Sequence, residues 1–193
     1  MSEVSGVGGV SGVGGVSGVD GASRAPSLDE LTAVAGAVPD PELPVVTLAD
    51  LGVLRAVRRG AEGRVEVELT PTYVGCPAVE VMREDIRAAL AGRGVADAVV
   101  TTVLSPPWST DDISADGRRK LADAGIAPPR AGARGPVFVE LGRAAPAPES
   151  RPVPCPRCGA DETTLLSRFA GAACMALRRC EACREPFHHV KER

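Results

Sequence analysis

Two cysteine pairs, Cys155-Pro-Arg-Cys158 and Cys180-Glu-Ala-Cys183, constrain this chain more than any other feature. A C-x-x-C turn sets two thiolates on one tight loop. Two such loops facing each other close a tetrahedral four-sulfur cage of the kind that suits structural zinc. The spacing therefore predicts Zn2+ held by Cys155, Cys158, Cys180 and Cys183 in a zinc ribbon over residues 153–193. A cage closed by four thiolates keeps no open position for water or substrate. Its metal would hold structure, and any chemistry must be sought elsewhere in the chain.

Composition narrows what that chemistry can be. The chain has 193 residues and 44% apolar content, enough for one medium domain and a small satellite. Its aromatic residues are Tyr73, Trp108, Phe138, Phe169 and Phe187, too few for platforms that stack nucleic-acid bases. Residues 28–125 hold 10 Lys/Arg against 16 Asp/Glu, a balance of −6, and residues 155–193 hold 7 against 5, or +2. Neither block is the basic patch that phosphate binding needs, so nucleic acid is not an expected partner. No run of eighteen apolar residues occurs, which argues against a membrane span. Cysteines in knuckle spacing with no secretory signal before them give the expectation of a reducing cytoplasm.

Residues 5–19 repeat glycine, valine and serine and predict a flexible tail, extending over residues 1–26. Order is expected from Ser27, where Ser27-Leu-Asp-Glu30 forms a capping box and Leu28, Leu31, Ala35 and Val38 follow at helical spacing. Strands are expected over 51–59 and 64–70, joined as a hairpin by the glycine-bearing loop 60–63; in the second, Val65, Val67 and Leu69 alternate with Glu66 and Glu68. Val79, Met82, Ile86 and Leu90 predict a second helix beginning just after Cys76. A third strand at 98–104 and a helix at about 114–124 complete an α-β-β-α-β-α order over residues 27–130. Proline and alanine then mark an extended segment and linker over 131–152. The fold class expected is α+β, a small α/β domain followed by a C-terminal zinc ribbon.

Few side chains outside the knuckles could carry chemistry. Pro77 suits a first helical turn, which puts Cys76 at or beside a helix N-cap, where the helix dipole favours a thiolate. Its alternative is a free cysteine packed as a small hydrophobe. Asp40 and Glu42 lie in a proline-braced turn, with Asp50 close behind, and could orient the partner of a thiol or lend oxygen ligands; an Asx turn is the plainer reading. Trp108, after two prolines, is either an interface anchor for a partner or a cover over the core. Cys174, between the knuckles, reads as a packed residue, with a reactive thiol or an alternative ligand as the other option. His188 and His189 are the only histidines; they could enter a mixed ligand set, but four thiolates make that unnecessary. The absence of any other histidine argues against a Ser/His/Asp hydrolase.

Asp40-Pro-Glu42, Asp50-Leu-Gly52, Thr70-Pro-Thr-Tyr-Val-Gly-Cys-Pro-Ala78, Pro107-Trp-Ser-Thr-Asp111 and Gly125-Ile-Ala-Pro-Pro129 together resemble the iron-sulfur assembly family that includes the MIP18 targeting factor and its SufT-like bacterial relatives. With the ribbon cysteines and Glu185-Pro-Phe187 added, the chain is similar to the PaaD family of phenylacetyl-CoA epoxidase components. It differs from that family's usual pattern at Asp112, at Met175 and at the C-terminus.

The resemblance implies a MIP18-like domain and a role in aerobic phenylacetate catabolism. That role would lie within an oxygenase whose catalytic component holds a di-iron centre and whose reductase carries flavin and a 2Fe–2S cluster. It implies no catalysis by a chain of this family. What it implies instead is assembly or delivery of a metal centre or a transient iron-sulfur cluster, with Cys76 as soft ligand or sulfur carrier and Asp40 and Glu42 nearby. Expected partners are other epoxidase subunits or the iron-sulfur assembly machinery, and the sequence leaves self-pairing to a homodimer open. The competing readings are a docking adaptor built on the ribbon and, further off, a nucleic-acid-binding ribbon.

Overall fold

The computed structural model describes residues 24–130, 132 and 152–192. The glycine-rich repeat and most of the expected linker lie outside the described residues. The first helix, α1 (Leu28–Gly36), opens on the expected capping box. Ser27 Oγ accepts the Glu30 N–H at 3.2 Å, and the Glu30 carboxylate accepts the Ser27 N–H at 2.6 Å. Both bonds satisfy amides that a helix start leaves orphaned, and Leu31 and Ala35 then face inward.

The hairpin forms as β1 (Leu54–Arg59) and β2 (Val65–Leu69), antiparallel, with a bulge near Leu54–Ala56. In β2 the period-two pattern decides the faces: Val65, Val67 and Leu69 are buried, while Glu66 and Glu68 point outward. The second long helix, α3 (Val79–Ala91), buries Met82, Ile86 and Leu90, the residues its spacing selects. It returns the chain to β3 (Val99–Thr102), which pairs parallel to β2, so the sheet runs β1-β2-β3 with a β-α-β crossover at one edge. Helices α1 and α3 pack together and onto this sheet, enclosing the main core.

Two elements differ from the expected order. The strand expected from residue 51 starts at Leu54, because Leu48–Leu51 forms a short helix, α2. Thr47 and Asp50 close a second capping box around it, and Gly52, at φ 66°, ends it in the left-handed conformation. Past α4 (Ala115–Asp123), Ile126–Ala127 forms a two-residue strand, β4, which the expected element order lacks. The position of Asp112 is taken up by a short 3-10 turn, in which its carboxylate accepts the Ser109 N–H at 2.9 Å and pairs with Arg55 at 3.0 Å. Arg55 also reaches Thr70 Oγ1 at 3.1 Å, tying that turn to the end of β2.

Strand β4 matters because its partner lies in the ribbon. The ribbon contributes β5 (Thr163–Ser167), β6 (Met175–Cys180) and β7 (Pro186–Val190), and the sheet order is β4-β7-β6-β5. Ile126 and Ala127 pair with His188 and His189 in parallel register. The main core crosses the same seam: Cys174, Met175 and Val190 join the cluster that contains Leu48, Met82 and Trp108. A second, smaller cluster gathers Ala127, Val153, Cys155, Cys180 and Phe187 around the knuckles.

Candidate functional site

The knuckles come together as their spacing requires. All four Sγ atoms lie within 4.8 Å of one another, with Cys155–Cys183 at 3.8 Å and Cys158–Cys180 at 3.6 Å. A tetrahedral ion with metal–sulfur bonds of about 2.3 Å needs sulfur–sulfur edges of about 3.8 Å, so the donor set fits such an ion. The Cys183 N–H, 3.5 Å from Cys180 Sγ, is the leading cause that brings that thiol down to about 7. At Cys183 the Glu185 backbone N–H favours the thiolate, but desolvation and hydrogen bonds with the other three sulfurs carry the thiol up to about 12. The Cys180 thiolate thus forms readily, and the Cys183 thiol ionises once a cation offsets the charge beside it.

The residue after each pair takes the same left-handed turn, Gly159 at φ 76° and Arg184 at φ 65°. A side chain in that conformation costs about 1 kcal/mol that glycine does not incur. Arg184 has only an exposed pair with Glu181, at 2.8 Å, to set against it. Arg184→Gly is therefore expected to stabilise the metal-loaded protein by about 0.5–1 kcal/mol, measured by denaturant unfolding at constant metal.

The histidines stand apart from this cage. Among the described residues the only metal-ligand group of this kind is the four cysteines. His189 is buried in the sheet, where desolvation first of all lowers its pKa, and His188 pairs with Leu177 and Ile126.

A second constellation forms at the seam. Asp40, Glu42, Thr72, Cys76, Trp108 and Cys174 line one pocket, walled further by Leu43, Leu51, Met82 and Val190. Asp40 is fixed by an Asx turn: its Oδ1 accepts the N–H of Glu42 at 2.9 Å and of Leu43 at 2.7 Å. The plainer sequence reading of this carboxylate and its proximity to Cys76 are thus both present. The turn aims Glu42 across the seam, where Oε2 lies 3.8 Å from Cys174 Sγ. Asp50 does not join the pocket; Thr47 and Lys120 hold its Oδ2, with Lys120 Nζ at 2.8 Å.

Cys76 sits in the loop between β2 and α3, its N–H bonded to the Tyr73 carbonyl at 3.3 Å. Helix α3 begins at Val79 with Ala78 as its cap, so Cys76 stands two residues before the cap and not at or beside it as expected. Its sulfur nevertheless accepts the Ala78 N–H and the Tyr73 hydroxyl. Burial is the larger influence: desolvation, with Glu42 and Asp40 behind it, pushes the Cys76 thiol above its ordinary value. Desolvation, then Glu42, raises Cys174 to about 11, and desolvation, then Cys76, raises Tyr73 to about 12. The thiolate expected from the helix dipole is therefore opposed here by burial and by two carboxylates.

Trp108 faces inward. It is 7% exposed and its Nε1–H donates to the Leu51 carbonyl at 2.8 Å, so it is a wall of the pocket. Cys174 is the residue that sequence reasoning undervalued. Its neighbours in the chain give no hint of Glu42, which lies 132 positions earlier.

A family model described as "Iron-sulfur cluster assembly protein" matches residues 29–104, and one described as "PaaD zinc beta ribbon domain" matches residues 143–191. The chain is 41% identical over 166 residues to an Escherichia coli (strain K12) protein provisionally named as a component of 1,2-phenylacetyl-CoA epoxidase, a match covering 86% of this chain and 93% of that one. It is 32% identical over 94 residues to an "Fe-S protein maturation auxiliary factor" of Porphyromonas gingivalis, covering 48% of this chain and 89% of the relative. A solved Bacillus anthracis domain of unknown function, DUF59, is 29% identical, covers 49% of this chain and 90% of its own, and superposes with a TM-score of 0.45. No helix among the described residues is long and apolar enough to cross a membrane.

Proposed function

Because the chain belongs to the PaaD family of phenylacetyl-CoA epoxidase components, we propose that it is a non-catalytic accessory subunit of such an oxygenase system. Its work is the assembly of a metal or iron-sulfur centre in its partners. The observation that carries this reading is the gathering of Cys76, Asp40 and Glu42 around one pocket, with Cys76 in the loop that precedes α3. Thiols beside carboxylates stay protonated until a cation arrives, since each added negative charge opposes the next ionisation. That favours a soft-metal ligand over a standing nucleophile. The ribbon metal in this reading is zinc, held for structure, because four thiolates leave it no open position.

The test is co-expression of the epoxidase components with wild type or Cys76→Ser. The substitution is expected to lower the iron content and activity of the purified epoxidase together, with the ribbon metal and the fold of the variant unchanged. Normal epoxidase iron beside a stable Cys76→Ser chain would sink the proposal in favour of a docking role.

A further inference from the structure

The carboxylates and cysteines at the seam come from both halves of the molecule. Glu42 is held by the Asp40 turn, and Cys76 by the loop before α3. Cys174 comes from the ribbon, immediately before β6, where its carbonyl accepts the Lys191 N–H at 2.9 Å and Met175 N–H bonds Ala172 at 3.1 Å. Backbone hydrogen bonds thus fix where each donor residue stands, while the donor atoms themselves are not gathered as the knuckle sulfurs are, so an ion would draw the side chains together. Cys76 and Cys174 are 7% and 8% exposed and border the same pocket, and neither belongs to the knuckles. Among the described residues lining the pocket the cationic one, Lys191, is engaged elsewhere: its Nζ donates to the Arg168 carbonyl at 3.1 Å and lies 4.5 Å from the centre of the Phe169 ring.

We propose that Cys174 of the ribbon completes a seam site with Cys76 and Glu42, and that this site binds a thiophilic divalent metal ion, iron(II), as cargo. Two sulfurs with a carboxylate oxygen suit iron(II) or zinc, and disfavour calcium and magnesium, which demand oxygen throughout. Asp40 Oδ2, which takes part in neither bond of the Asx turn, adds charge at the same pocket. Binding involves no oxidation. Each of the two thiols releases one proton as its sulfur bonds the metal, two for each ion bound, and Glu42 coordinates through its carboxylate. Three protein ligands leave a position open for a receiving group, which the four-thiolate ribbon does not offer. A two-domain site of this kind makes the ribbon part of the binding machinery. The inference rests on the metal-assembly reading of Cys76 and adds to it the ribbon thiol.

The experiment uses the full chain with zinc in its ribbon, titrated anaerobically with cobalt(II) alone as the spectroscopic stand-in. Wild type is expected to take up one cobalt beyond the ribbon metal, with thiolate-to-cobalt charge-transfer absorption and release of two protons. Cys174→Ala and Cys76→Ala should each weaken this binding by about tenfold or more, with about half the charge-transfer intensity remaining at saturation, while ribbon zinc stays at one per chain. Glu42→Gln should weaken it while leaving the intensity intact. Alkylation mapping of the wild type provides a readout that needs no variant: cobalt should protect both Cys76 and Cys174. Protection of Cys76 alone, or unchanged binding in Cys174→Ala, overturns the role of Cys174 and leaves the Cys76 reading standing. No cobalt beyond the ribbon in wild type overturns the seam site altogether, and the epoxidase iron content then decides the assembly reading by itself.

Discussion

Cys180→Ser is expected to empty the ribbon of metal and to destabilise the α/β half as well. Cys180 is fully buried at the end of β6, within the small cluster of Ala127, Val153, Cys155 and Phe187. Four-thiolate zinc supplies on the order of 10 kcal/mol of folding free energy in small modules, and three sulfurs with a buried hydroxyl forfeit much of it. The loss does not stop at the knuckles. Strand β6 carries Met175, β7 carries Val190, and both residues pack in the main core with Met82 and Leu48. Strand β7 also supplies the partner of β4. Metal analysis should fall from one ion per chain to none, and thermal unfolding should begin several degrees lower when followed at Trp108, the single tryptophan, which lies in the α/β half. An unchanged Trp108 transition in a metal-free ribbon would show that the halves fold independently.

The largest single-residue effect away from the metal is expected at Gly52. Its φ is 66°, and a Cβ placed there would meet the Asp112 carbonyl oxygen at 2.3 Å and the Asp112 Cβ at 2.8 Å. Backbone cannot swing aside as a long side chain can. Moving Asp112 would disturb its cap on Ser109 and its pair with Arg55. Gly52→Ala should cost about 3 kcal/mol or more, the sum of a left-handed non-glycine residue and an overlap in packed surroundings. Gly94→Ala is the matched control. Gly94 has φ 81° with nothing within 4 Å, so only the conformational cost of about 1 kcal/mol applies. Urea denaturation of the two variants should separate by about 2 kcal/mol, and equal losses would refute the overlap argument.

What could be read in advance follows from where the information lies. The capping box of α1, the alternation of β2 and the face of α3 are local patterns, written within a few neighbouring residues. The knuckles are legible for the same reason, because each C-x-x-C is one turn. Helix α2 escaped, although Thr47-x-x-Asp50 carries a cap signal, because four residues are too few to show a periodic face and the following β-like run absorbs them. Strand β4 is two residues long and is a strand only because His188 and His189 lie beside it. No local propensity encodes that pairing.

The pocket divides in the same way. Asp40 and Glu42 share one turn and Cys76 stands in a recognisable motif, so each could be nominated. Their meeting is tertiary, and so is the environment that decides the state of the thiol. A helix start promises a thiolate; burial beside carboxylates reverses the sign. Cys174 depended wholly on how the ribbon docks.

Strand β6 runs from Met175, next to Cys174 at the seam, to Cys180 in the cage, a span of about 17 Å at the rise of an extended chain. One strand therefore carries a donor of each site at its two ends. Filling the cage fixes the far end of β6 and with it the place of Cys174, so under the proposed seam site loading would have a natural order, the permanent ion first and the travelling one second. A chain short of its permanent ion would be a poor carrier before it was an unfolded one.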